Sequence, residues 1–311
     1  MTDASALANV ARPAWRPDRI PFWKMNGSGN DFVMIDNRNA IVPAAEEWRF
    51  TRAVCDRRRS VGADGIVFIG HPDQSDDAIP IGFAWRYRNA DGSEGEFCGN
   101  GAMCAARMAA LTGITGTRSI FSTPAGVVFA TVADAPDDPR VAIALSDPSP
   151  IGPVARITVA RHPIAVHATT VGVPHAVTVV ADIDEPFPNH GPGAGTLVTV
   201  GRAARRHAHF APAGTNLDAI QIRPDGAILM RTYERGVEDE TLACGSGAVA
   251  SALAATALGQ AASPVTVITR NGSPLVVTFD WDAARRQATN VSLSGRAAVV
   301  AIGELTSEAL G

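Results

Sequence analysis

The sequence predicts an α+β protein of two homologous domains, each strand-rich around one central helix. Three observations carry that prediction. The chain has 311 residues, beyond the size at which one hydrophobic core usually keeps growing. A glycine turn followed by an alanine-rich segment occurs twice, opened by Cys98 and by Cys244. The strands and turns that precede those segments also recur in the same order. A period this long is a duplicated domain rather than a solenoid.

In chain order, Gly27-Ser28-Gly29-Asn30 precedes an apolar strand ending near Asp36, and Gly62-Ala63-Asp64 precedes another. Phe83 to Asn89 (FAWRYRN) reads as a strand. Cys98-Gly99-Asn100-Gly101-Ala102 then opens a small-residue helix that Gly113 should close as C-cap. Pro148, Pro150 and Pro153 mark the crossing into the second unit. There Gly172-Val173-Pro174-His175 precedes a strand ending near Asp182, and Gly214-Thr215-Asn216 precedes the next. Leu229 to Arg235 (LMRTYER) reads as a strand, and Cys244-Gly245-Ser246-Gly247-Ala248 opens the second helix, closed by Gly259. The helix offsets agree at both ends (244 − 98 and 259 − 113 both equal 146), and Tyr87 and Tyr233 share that offset. The expected domains are 21–146 and 147–293. Residues 1–20 are expected to form a mobile tail, and 186–195 a turn-rich surface loop.

Composition narrows the function classes. Charged residues are 19% and the net charge is −4, which argues against nucleic acid or an anionic membrane as partner. The run Arg57-Arg58-Arg59 reads as a solvated helix end. Four cysteines in a chain this long are no disulfide framework, and their spacing is no zinc motif, so no metal is expected. Residues 1–20 lack the apolar core of a signal peptide, and no apolar stretch is long enough to span a membrane. Reduced thiols in a soluble cytoplasmic protein are the expectation, with a homodimer left open.

Free cysteine is most often a small buried hydrophobe, and that reading is kept for Cys55 and Cys104. Cys98 and Cys244 differ because each stands at the matched place in a repeated glycine turn, which favours catalysis. The motifs Lys24-Met25-Asn26-Gly27-Ser28-Gly29-Asn30-Asp31-Phe32, Asn89-Ala90-Asp91-Gly92-Ser93, Cys98-Gly99-Asn100-Gly101, Pro174-His175, Glu234-Arg235-Gly236 and Ala243-Cys244-Gly245-Ser246-Gly247 together resemble the diaminopimelate epimerase family. The resemblance implies a barrel around a helix in each domain, an active site in the interdomain cleft, and a last strand, about 294–306, that returns to the first domain. It implies an amino-acid substrate and no cofactor; Lys24, the only lysine, gives no reason to expect a pyridoxal phosphate site. It also implies roles. Cys98 and Cys244 would be the acid and base, with His175 setting the protonation of a thiol. Glu234 would meet an ammonium group and Arg235 a carboxylate. Asn89 and Asn216 would bind the remote carboxylate. Asn30 and Asn100 would assist at the reacting end, with the backbone of Gly99, Gly101, Gly245 and Ser246. Asp64 is read as structural.

The chemistry agrees with that pattern. A Cα–H is a very weak acid, so its removal needs stabilisation of charge at the carboxylate. Two helix N-termini, with free N–H groups and a favourable dipole, would supply it. A helix N-terminus also lowers a thiol pKa from roughly 8.5. Inversion needs a thiolate on one face and a thiol on the other. Some residues depart from the family pattern. Val173 stands where many members carry an asparagine, the 236–241 loop is one residue longer than a common form, and Gly65 lacks an amide side chain. One lost hydrogen bond to a charged group costs about 1.5–3 kcal/mol. The rival functions are a racemase of another amino acid such as histidine, a non-catalytic amino-acid binding protein, and a redox-responsive cysteine pair.

Overall fold

The computed structural model describes residues 15, 18–72, 79–95, 97–187 and 196–310. Most of the expected N-terminal tail and most of the 186–195 loop therefore lie outside the described residues. The first half runs β1 (Arg19–Gly27), β2 (Asn30–Asp36), α1 (Glu47–Cys55), β3 (Gly65–Gly70), β4 (Phe83–Asn89), β5 (Glu94–Gly95), α2 (Gly99–Leu111), β6 (Arg118–Thr123), β7 (Gly126–Val132) and β8 (Arg140–Ala144). The second runs β9 (Ala155–Val159), β10 (His162–Val171), β11 (Val173–Val179), α3 (Leu197–Arg205), β12 (Asn216–Ile222), β13 (Ile228–Glu234), β14 (Asp239–Thr241), α4 (Gly245–Ala257), β15 (Val265–Ile268) and β16 (Pro274–Asp282). The long β17 (Gln287–Thr306) is the last strand and leads into a short 3-10 turn at Ser307–Leu310.

Strand pairing closes the first half into a barrel. β1 pairs with β2, β2 with β3, β3 with β4, β4 with β6, β6 with β7 and β7 with β8. β17 completes the ring by pairing with β8 through Ser292–Arg296 and with β1 through Ala297–Thr306. The second half follows the same plan from β10 to β16, and its last member is the start of β17. The connecting segment closes that ring. Leu145 and Ile151 donate to Val291 and Arg286 on one side, and Ser149 and Gly152 donate to Thr170 and Ala168 on the other.

The duplication extends to the helical crossovers. Parallel strands cannot be joined by a tight turn and need a long connection. Accordingly α1 joins the parallel pair β2–β3 and α2 joins β4–β6, while α3 joins β11–β12 and α4 joins β13–β15. Period-two alternation sends Phe32 and Met34 of β2 toward the α2 core, while Val33 and Ile35 pack with Phe50 and Val54 of α1. The interior helices are alanine-rich because a small barrel leaves little room for side chains around them. Ala102, Ala105 and Ala106 in α2, and Ala248, Ala250, Ala252 and Ala254 in α4, are wholly buried. Gly113 and Gly259 adopt positive φ just past the two helices, as left-handed C-caps require.

Two sequence expectations need correction. Tyr87 and Tyr233 share an offset but not an environment. Tyr87 lies in the core around α2, whereas Tyr233 is buried beneath α3 against Gly201. The equivalence therefore slips by one residue within this strand, which puts the side chain on the other face. Arg57 is also no bystander in a solvated run, because it pairs with Asp31 and Asp64.

Candidate active site

Cys98 and Cys244 are the N-cap residues of α2 and α4, each in extended conformation with φ −144° and −134°. The first N–H groups of a helix lack intrahelical acceptors. In α4 the Gly247 N–H points at Cys244 Sγ at 3.4 Å; at the start of α2 the Asn100 and Gly101 amides favour the Cys98 thiolate without making a capping hydrogen bond to its side chain. The two helix starts converge. A Cβ built on Gly99 would lie 3.8 Å from Leu293 Cδ2, and one on Gly245 would lie 2.9 Å from the same methyl group. One leucine on β17 thus separates the two N-termini.

Around Cys244 the polar groups form a chain. Asn216 Oδ1 accepts the Arg235 N–H at 2.7 Å, which fixes the amide and directs its Nδ2 to His175 Nε2 at 3.3 Å. A donor at Nε2 leaves the neutral imidazole with its hydrogen on Nδ1, which meets Asp218 Oδ2 at 2.7 Å. Thr232 Oγ1 donates to the other oxygen of Asp218 at 2.8 Å. Ser246 Oγ lies 3.0 Å from His175 Nε2 and 3.5 Å from Cys244 Sγ. Thiol, hydroxyl, imidazole and carboxylate are therefore in series, and the side chains of His175 and Asp218 are fully buried.

Glu234, at the end of β13, belongs to the Cys244 half-site. Thr241 donates to it at 2.6 Å, and the Cys244 thiol favours its charged form. Burial raises its pKa above the ordinary carboxylate value. Its charge reaches both sulfurs, contributing to the raised pKa of Cys244 and of Cys98. The Cys98 side is built from amides and charge. Asn100 Nδ2 donates to Asn30 Oδ1 at 2.7 Å, and Asn30 Nδ2 donates to Asp64 at 3.2 Å. Behind them Lys24 and Arg57 hold Asp31. Burial opposes ionisation of that carboxyl, yet hydrogen bonds and charge from Arg57 and Lys24 hold it at about 2.

The thiols do not follow the simple helix-terminus expectation. The amide hydrogen bonds favour thiolate as predicted, but burial outweighs them. Cys98 is pushed up to about 11, and Cys244 well above the ordinary thiol value. Cys55 and Cys104 are buried in the cores beside α1 and α2.

Most residues singled out in the sequence fall into one of two clusters. Asn30, Gly99, Asn100 and Gly101 gather with Cys98, whereas Asn89 lies at the end of β4 opposite Gly65 and donates to Ser93 Oγ at 3.1 Å. His175, Asn216, Glu234, Arg235, Gly245 and Ser246 gather with Cys244. Asn216 is largely committed within the protein, with one amide hydrogen left for a ligand. Arg235 spends one donor on the Ala213 carbonyl at 3.0 Å. Asp218 and Thr241 were missed. Asp218 had a partial signal, a carboxylate between the apolar Leu217 and Ala219 of β12, where burial requires a partner. A surface depression lined by Arg223, Gln260 and Pro264 sits past the C-terminal end of α4 and away from these residues.

Paired capping thiols at converging helix starts define an isomerase of the racemase and epimerase class. Comparison with known proteins names the family. The diaminopimelate epimerase family model matches residues 22–146 and 167–294, and the chain belongs to that family. It is 38% identical to the diaminopimelate epimerase of Aquifex aeolicus over 298 residues, covering 94% of this chain and 99% of that one. It is also 38% identical to the Hydrogenobaculum sp. diaminopimelate epimerase over 266 residues, covering 83% and 91%. Among solved structures, a probable proline racemase from Agrobacterium radiobacter shares the fold with TM-score 0.63 at 18% identity, covering 92% of this chain and 93% of that chain. A phenazine biosynthesis protein from Bacillus anthracis gives TM-score 0.66 at 14% identity, covering 93% and 99%.

Proposed function

We propose that this protein interconverts LL- and meso-diaminopimelate in lysine and peptidoglycan precursor synthesis, with Cys98 and Cys244 exchanging the roles of base and acid. The observation that carries the reading is the convergence of the two thiol-capped helices on Leu293, with Glu234 bearing on both sulfurs. The substrate α-carboxylate takes the free amides at the two N-termini, where negative charge accumulates as the Cα–H breaks. The α-carbon then lies between the sulfurs. One thiolate removes the proton from one face, and the opposite thiol delivers a proton to the other.

Both thiols are protonated in the free protein at neutral pH, so a thiolate must form on binding. Cys244 can pass its proton through Ser246 to His175, and Asp218 stabilises the resulting imidazolium. Glu234 receives the substrate ammonium, which offsets the charge that lifts both thiols. Arg235, Asn89 and Asn216 hold the remote amino-acid group, with Val173 contributing only apolar contact. In this reading residues 21–146, with the 294–306 part of β17, form one domain and 147–293 the other, and the substrate lies in the cleft between them.

The test is α-proton exchange in deuterated water with a panel of amino acids. Diaminopimelate is expected to acquire α-deuterium and to epimerise. Exchange with histidine or another single-ended amino acid, and none with diaminopimelate, overturns the substrate assignment. No exchange with any substrate favours a binding protein.

A further inference from the structure

We infer that Asn271, on the turn between β15 and β16, is a positioning residue that couples the two half-sites; the inference rests on the epimerase reading above. This turn belongs to the second barrel, yet it reaches the β1–β2 turn of the first. Asn271 Nδ2 donates to the Ser28 carbonyl at 2.9 Å. The approach is close enough that a Cβ on Gly29 would lie 1.4 Å from Asn271 Nδ2, and Gly29 holds φ +109°. Glycine is required there on both counts.

The same residue is tied to the other half-site. Its backbone N–H donates to the Leu242 carbonyl at 3.3 Å, two residues before Cys244. Its side-chain oxygen accepts from Thr269 Oγ1 and from Ser273 N–H, both at 2.8 Å, so the amide orientation is fixed by its own hairpin. Arg270 adds a contact to Glu240 at 3.6 Å. One turn therefore touches the chain entering Cys244 and the chain entering Asn30.

Position at Asn30 matters because its Oδ1 holds the Asn100 side chain at 2.7 Å, and Asn100 lies in the first turn of α2, two residues past the Cys98 cap. The Ser28 turn is otherwise held by the Arg296 backbone, which exchanges hydrogen bonds with Ser28 at 2.9 and 3.2 Å, and by the Asn26 side chain, which accepts from Gly29 N–H at 3.1 Å. All of those partners belong to the closed first barrel. Among the described contacts of this turn, Asn271 alone comes from β15, β16 or the turn between them. Its hydrogen bond sets the distance from the Leu242 strand end to Asn30, and through it the register of the two helix starts.

Asn271→Asp keeps the acceptor for Thr269 and Ser273, removes the donor to Ser28 and sets a carboxylate oxygen against that carbonyl. Asn271→Ser removes the reach without adding charge. In the full-length protein, each is expected to lower kcat for epimerisation about tenfold with KM changed less than twofold, because small misplacements at a reacting centre fall on kcat. The decisive readout is non-additivity. With Asn30→Ala already present, the Asn271 change should cost no further activity, since it acts through Asn30. A full additional loss in the double variant, or wild-type kcat in both single variants, overturns the inference. Should Asn271→Asp fail to fold, Asn271→Ser carries the same comparison. An inactive wild-type protein counts instead against the epimerase reading itself.

Discussion

The two halves share a scaffold but surround their thiols differently. Each places a cysteine at the N-cap of an alanine-rich helix inside a barrel, with glycine next to it. In the second half the sulfur meets a hydroxyl, an imidazole and two carboxylates, all able to take or give a proton. In the first half the neighbours are amides, Asn30 and Asn100, backed by Lys24, Arg57, Asp31 and Asp64 in fixed ionic pairs. Duplication thus preserved the cysteine-capped helix starts and let the groups around the two sulfurs diverge. The lesson is that the two thiols are geometric equivalents and chemical unequals.

The largest expected effects ignore that difference. Cys98→Ala and Cys244→Ala should each lower epimerisation by about 10³-fold or more, since inversion needs both a base and an acid. Measured product formation that survives either change would remove the two-thiol mechanism. The next test separates the halves. Asp218→Asn keeps the shape but removes the charge that supports His175, and should lower kcat about 10²-fold. Asp64→Asn, behind Asn30, weakens one hydrogen bond and the half-exposed ion pair with Arg57 and should lower kcat no more than about tenfold. Equal losses at both positions would show that His175 does not handle protons.

How much of this was legible depends on whether one residue or several had to be placed. The helix starts could be read because a glycine turn, an alanine-rich run and a closing glycine form a local pattern, and it occurs twice. The barrels could be read only as strand-rich, since ring closure depends on β17 meeting β8 and β1, a pairing between distant segments. Asp218 was hidden because its role depends on the parallel register of β11 and β12, which sets Val177 opposite Asp218 and His175 opposite Asn216. The thiol pKa was misjudged for a related reason. The helix-end donors are local and visible in sequence, whereas the desolvation that outweighs them comes from the whole fold.

That desolvation predicts alkaline sensitivity. Burial raises all four thiols above their ordinary value, Cys98 to about 11 and Cys55 to about 12. A raised folded-state pKa means the folded protein holds its proton more tightly than the unfolded chain. The associated stability is fully present below the unfolded pKa of roughly 8.5. For Cys98 it then declines up to about 11, by about 1.4 kcal/mol per pH unit for each thiol concerned. Chemical denaturation midpoints should therefore fall steadily from pH 8 to pH 10, and less steeply in Cys98→Ala. A midpoint that rises with pH would contradict the sign of the shifts.

The smallest effect gives the finest comparison of the two sulfurs. Glu234 raises both thiols through its charge, and that charge weighs more on Cys244 than on Cys98. Glu234→Gln keeps the shape, so access to either sulfur should not change. It removes a negative charge that disfavours thiolate, and both thiols should become more acidic. Because a thiol must be ionised to react, alkylation by iodoacetamide at pH 8 should accelerate at both cysteines. Cys244 loses the larger influence, so its rate should rise about threefold or more, equivalent to roughly half a pKa unit. Cys98 loses only the more distant charge and should change less. Peptide mapping of the alkylated protein resolves the two sites, and equal acceleration, or a larger one at Cys98, would mean that Glu234 belongs to the first half-site rather than the second.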